Sequence, residues 1–137
     1  MTETERVLRN ADALYAKWRC AESAACCQLS KTGREPWLYQ REWELVVDAA
    51  LVLPPERTDG ACPFLDAAGT RCTVYAVRPF GCRTFFCEKG NGPSRHLAER
   101  TDALLRELAA IHLDESVSPT PQPISAWIRA ARASTGR

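Results

Sequence analysis

Seven cysteines, all between positions 20 and 87, constrain this chain of 137 residues more than any other feature. They form two groups: Cys20-Ala-Glu-Ser23-Ala-Ala-Cys26-Cys27, and then Cys62, Cys72, Cys82 and Cys87 within a stretch punctuated by glycine and proline. An odd count excludes complete pairing within the chain. Roughly one residue in twenty is cysteine, below the ~8–10% typical of small disulfide scaffolds. Residues 1–6 are charged on both sides and no uninterrupted apolar run follows, so a secretory leader is not expected. The expected compartment is the cytoplasm, where clustered thiols read as metal ligands or reactive groups rather than as disulfides.

Charge and hydropathy remove further classes. With 18 Lys and Arg against 17 Asp and Glu, the net charge of +1 gives no electrostatic footprint for nucleic acid. The longest nearly apolar stretch, residues 45–53, is broken by Asp48 and stops at Pro54-Pro55, far short of the ~20 residues a membrane-spanning helix needs. Neither nucleic acid nor a membrane is therefore an expected partner. A chain of this length buries about two-thirds of its unfolded surface, so a metal would help the fold without being demanded by size.

Apolar periodicity predicts four helices. Val7, Ala11, Leu14 and Trp18, with Leu8 and Tyr15 beside them, mark the first over residues 3–19. Pro36 suits the first turn of a second over 37–52, broad-faced and expected to be the most buried, which Pro54-Pro55 ends. Residues 57–92 hold no long helix. There, Phe64-Leu65 and residues 72–75 flank a turn-rich connection that suits a short hairpin. Ser94 is placed to cap a third helix with Leu97, Thr101, Leu104, Leu108 and Ile111 on one face. Residues 118–123 read as an extended proline-rich linker, and Trp127, Ile128 and Ala131 mark a short amphipathic helix over 124–133. The expected fold is a mainly α, small single domain of about four helices, with an irregular cysteine-rich loop region and at most a short β-hairpin. Residues 1–117 would form the metal-binding domain, with 118–137 packing back on it.

Four thiols in one irregular segment suit a metal because such backbone is not committed to a ladder. Thiolates without neighbouring histidines select zinc or an iron–sulfur cluster. The alternative is that buried cysteines serve as small hydrophobes, which explains an isolated thiol better than seven in two clusters. No C-x-x-C pair or ferredoxin run is present, so spacing by itself stops at a metal site of unknown metal. His96 and His112 are expected at the surface or core edge of the third helix. Trp18, Trp37, Trp43 and Trp127 are expected as core or interface anchors, and Glu42, Glu44 and Asp48 as an exposed helix face.

The second half of the pattern reads Cys62-Pro63-Phe64-Leu65, then Cys72-Thr73-Val74-Tyr75-Ala76-Val77-Arg78-Pro79-Phe80-Gly81-Cys82-Arg83-Thr84-Phe85. In this it resembles the YkgJ-type cysteine-cluster family of zinc- or iron-chelating domains, known by a C-x-x-C-x-x-C-C signature. The resemblance covers about residues 20–87. It departs at Ser23, which stands at the second signature cysteine, and Cys87 lies past the usual end of the motif. A serine hydroxyl is a poor ligand beside thiolates, so Cys87 is a candidate replacement. The resemblance then implies metal ligands among Cys20, Cys26, Cys27, Cys72, Cys82 and Cys87, with one or two sulfurs from the first three. Cys62, ahead of a proline, is the next candidate for a non-ligand.

Arg78 and Arg83 flank Cys82. A site of four thiolates around zinc or a [4Fe–4S] core carries a formal charge of about −2, which guanidinium donors would offset. The competing reading makes both solvated arginines whose stems cover apolar surface. The function these features favour is a cytosolic protein holding an iron–sulfur cluster, [4Fe–4S], with a redox, sensing or accessory role and a protein partner. A structural zinc module for protein–protein contact is the alternative. A third, a cluster-dependent transferase, follows from a related cysteine signature in flagellin lysine methylases, although this chain is too short for a comparable substrate domain. No catalytic residue and no enzyme activity can be assigned from the sequence.

Overall fold

The computed structural model describes residues 1–16, 35–69, 71–84 and 95–135. It is mainly helical, and the described residues include one two-stranded antiparallel sheet. Helix α1, Glu3–Leu14, starts from a reciprocal cap: the Thr2 hydroxyl accepts from the Glu5 N–H and the Glu5 carboxylate accepts from the Thr2 N–H. Its buried face is Val7, Leu8 and Ala11. The helix stops at Leu14 rather than reaching residue 19, and Tyr15 leaves helical geometry with its hydroxyl 2.6 Å from that of Thr101. Trp18 and Arg19 lie outside the described residues.

The expected helix over 37–52 is shorter at both ends. Trp37–Leu38 forms strand β1, paired antiparallel with β2, Gln122–Pro123, and the Ile124 N–H donates to the Pro36 carbonyl. A long-range partner thus takes the backbone that Pro36 would have turned into helix. Helix α2 spans Gln40–Ala50 and buries Glu42, Trp43 and Val46. It ends where Leu51 adopts a φ of +66°, a conformation rare for a residue with a Cβ, and Leu51 and Val52 are exposed.

Of the stretch 57–92 expected to hold no long helix, the described residues hold none. The hairpin reduces to a single antiparallel bridge between Leu65 and Cys72, closed by Asp66 N–H to Arg71 O and by a turn in which Gly69 takes a φ of +75°. The Arg57 guanidinium donates to the Leu65 and Asp66 carbonyls and pins this loop from outside. A 3₁₀ turn, Tyr75–Val77, precedes the one-turn helix α3, Phe80–Arg83. Helix α4, Arg95–Asp114, packs along α1, and α5, Ile124–Thr135, follows directly from β2. The Ser94 cap falls outside the described residues. None of the described helices is long and apolar enough to cross a membrane.

Two apolar clusters hold these elements. One gathers Leu38, Trp43, Val46, Phe64, Leu65, Val74, Ile124 and Ile128, joining the sheet, α2, the bridge and α5. The other gathers Val7, Leu8, Ala11, Tyr39, Phe80 and Leu108, joining α1, α3 and α4. Residues 38 and 39, neighbours in the chain, therefore point into different clusters. Trp43 and Trp127 stack with centroids 6.0 Å apart in the first, as expected of anchors, whereas Trp37 is 58% exposed.

Candidate metal centre

Cys82 sits in α3, whose single turn is closed by the Cys82 and Arg83 N–H groups donating to the Pro79 carbonyl and by Thr84 N–H to Phe80 O. Proline at the cap leaves the first turn without a side-chain acceptor of its own. The Phe80 N–H is instead met by the Glu42 carboxylate of α2 at 2.7 Å, and the same carboxylate accepts the Tyr39 N–H at 2.8 Å. Glu42 is 1% exposed, which corrects its expected place on an exposed face. Burial pushes its carboxyl up to about 7, against the pull of the two N–H donors. The signal was in the sequence as an acid three residues after a helix cap. A helix beginning at Pro36 hides that signal, which shows only when the helix starts after Tyr39.

Both arginines flanking Cys82 turn toward α1. Arg83 donates to Asp12 and to the Arg78 and Ala76 carbonyls, and its side chain is only 6% exposed. Burial pulls its guanidinium below the usual arginine value, while Asp12 works the other way. Arg78 reaches the same Asp12 carboxylate at 3.4 Å, donates to the Tyr75 carbonyl and lies 4.0 Å over the Tyr75 ring. A solvated role is therefore overturned for Arg83. Two guanidiniums share one carboxylate beside Cys82. Asp12 had no distinguishing feature in the sequence, standing between two alanines on a helix.

Cys82 also lines a cavity of about 320 Å³, with Glu35, Pro36, Tyr39, Glu42, Phe80 and Thr84 among its walls. Cys72 is half-buried at the bridge against the first cluster, and Cys62 is buried within it. Cys20, Cys26, Cys27 and Cys87 lie outside the described residues. Among the described residues, no three His, Cys, Asp or Glu side chains come together as a metal site. A chelate built on Cys72 or Cys82 thus needs further ligands from outside them. The described thiols suit soft or borderline ions, and among the described side chains His112 is engaged elsewhere: it is fully buried, not at the core edge, with Nε2 accepting the Arg41 N–H and Nδ1 facing the Leu108 carbonyl. The side chain of His96 is outside the description.

A family model, CxxCxxCC, described as a putative zinc- or iron-chelating domain, matches residues 19–103. The match spans more than half of the chain, and the protein belongs to this family. Membership supports metal binding in general and leaves open whether the metal is zinc or iron. No curated protein and no solved structure matches the chain.

Proposed function

We propose that the protein holds an iron–sulfur cluster of the [4Fe–4S] type through Cys72, Cys82 and Cys87 with one or two thiolates from Cys20, Cys26 and Cys27, and serves a redox, sensing or accessory role in the cytoplasm. Family membership supports the metal, and the thiolate-only donor set supports a soft one. The observation that carries a thiolate metal site here is the charge around Cys82: Arg78 and Arg83, which flank Cys82 in the chain, share the carboxylate of Asp12, and guanidiniums suit the negative charge that four thiolates bring with either a [4Fe–4S] core or zinc. Arg83, with three of its five N–H donors on Asp12 and the Arg78 and Ala76 carbonyls, would act there mainly by field. A cluster so held would supply one-electron chemistry.

Anaerobic purification followed by iron, sulfide and zinc analysis tests this. The expected result is brown protein with near-stoichiometric iron and sulfide, and Cys82→Ser is expected to abolish loading. Colourless protein carrying zinc, with no iron taken up on reconstitution, would establish the structural zinc module instead. Unchanged metal content in both Cys72→Ser and Cys82→Ser would overturn the ligand assignment.

A further inference from the structure

A ligand on a one-turn helix has little of its own to hold it. Helix α3 is four residues long, begins at a proline and has three internal backbone bonds, from residues 82, 83 and 84. A helix that short does not persist by itself, because nucleation fixes more dihedrals than its hydrogen bonds repay. Its position must come from outside, and two carboxylates on two other helices provide it. Glu42 of α2 uses one oxygen on the Phe80 N–H and the other on the Tyr39 N–H, so the start of α3 is tied to the start of α2 through one side chain. Asp12 of α1 grips Arg83, and Arg83 in turn donates to the Arg78 and Ala76 carbonyls ahead of the turn. One carboxylate thus fixes the front of the turn and the other its far end, with Cys82 between them.

We infer that Glu42 and Asp12 form a two-point brace that presents the Cys82 thiolate to the metal. They are positioning residues, and the inference rests on Cys82 being a ligand. The chemistry explains why each is an acid. Glutamine at 42 offers one oxygen and an NH₂ group, so one of the two backbone N–H donors would face another donor. Asparagine at 12 keeps the shape but loses the charge that draws Arg83, and with it the reason for a buried guanidinium to stay folded over its own backbone. Outer groups that orient a ligand typically alter metal affinity by about 10- to 100-fold when removed.

The test loads wild type, Glu42→Gln, Asp12→Asn, His112→Phe and Cys82→Ser with metal anaerobically, then follows its release to a chelator alongside thermal stability. His112 meets the N–H of Arg41 at the same end of α2 that Glu42 serves, but has no bond to α3, so His112→Phe controls for loosening α2 alone. Glu42→Gln and Asp12→Asn are expected to release metal about 10-fold faster or more and to shift the visible or paramagnetic signature of the site, while His112→Phe releases at the wild-type rate. Wild-type release from either folded brace variant, or equal acceleration in His112→Phe, overturns the brace. Should Glu42→Gln not fold, Asp12→Asn at the half-exposed end decides alone. Full metal loading in Cys82→Ser would remove the ligand assignment instead, a result separate from any behaviour of the brace.

Discussion

Glu42 is the residue where burial and hydrogen bonding pull hardest against each other. Its carboxyl is pushed from an ordinary 4.5 up to about 7 because burial outweighs the two N–H donors. Between those values the folded chain retains a proton that the unfolded chain has released, so stability falls as pH rises through the window and levels off above about 7. Metal-free wild type, compared with Glu42→Gln, is expected to lose on the order of 3 kcal/mol between pH 4.5 and 7 relative to the variant. Urea titrations across that range check it, and parallel pH dependences would refute it. His112 is a second buried polar residue that bonds across the fold. Nε2 accepts the Arg41 N–H at 3.0 Å and Nδ1 lies 2.9 Å from the Leu108 carbonyl, an arrangement that requires the neutral ring protonated at Nδ1. His112→Phe keeps the stack on Tyr39 but strands the Arg41 N–H, at an expected cost of about 1–3 kcal/mol. A midpoint unchanged in urea would show that water replaces the ring nitrogen. For His112 nothing in the sequence marks the role, because a buried polar group is recognised by what it bonds across the fold; Glu42 carries a local signal, an acid three residues after a cap, but not its bond to Phe80. The cysteines were legible, since their chemistry is intrinsic.

Among the elements, the helices declare themselves by local period, whereas the sheet depends on distant pairing. The helices centred on Val7 to Ala11, Trp43 to Val46, Leu104 to Leu108 and Trp127 to Ile128 follow from apolar spacing, because each needs only its own face to declare itself. The sheet is two residues against two, 84 residues apart from Leu38 to Gln122, and no alternation can show in so short a run. The proline-rich stretch was readable as extended, but its partner was not. That pairing also has a side-chain fastener: the Trp127 indole N–H donates to the Leu38 carbonyl at 2.9 Å while the ring stacks on Trp43. Trp127→Phe keeps an aromatic ring but removes the donor and part of the stacked surface. It is expected to cost about 1–2 kcal/mol, seen as a lower urea midpoint with an unchanged slope. A changed slope would mean instead that β2 and α5 separate from the rest before the main transition.

For the whole molecule, the size of the apolar core sets how far the fold depends on the metal. Small metal domains with little core unfold when chelated, because binding energy is folding energy there. This chain is built differently: two apolar clusters, one around Phe64 and Val46 and the other around Leu8 and Leu108, bury their central side chains almost completely without calling on a cysteine ligand at their centres. Glu42 and the adjacent Leu38 and Tyr39 sit where the two meet, so the helices are joined through α2 as well as through any metal. Chelation in a reducing buffer is therefore expected to leave most of the far-ultraviolet helical signal in place at 25 °C and to lower the thermal midpoint rather than abolish the transition. Leu108→Ala, which opens a cavity in the α1–α4 cluster, should cost about 2–5 kcal/mol in both the loaded and the metal-free protein. If chelation alone erased the helical signal, the clusters would be too weak to fold the chain, and the metal would have to be counted as part of the core. If Leu108→Ala destabilised only the loaded form, that cluster would be assembled by the metal rather than ready to receive it.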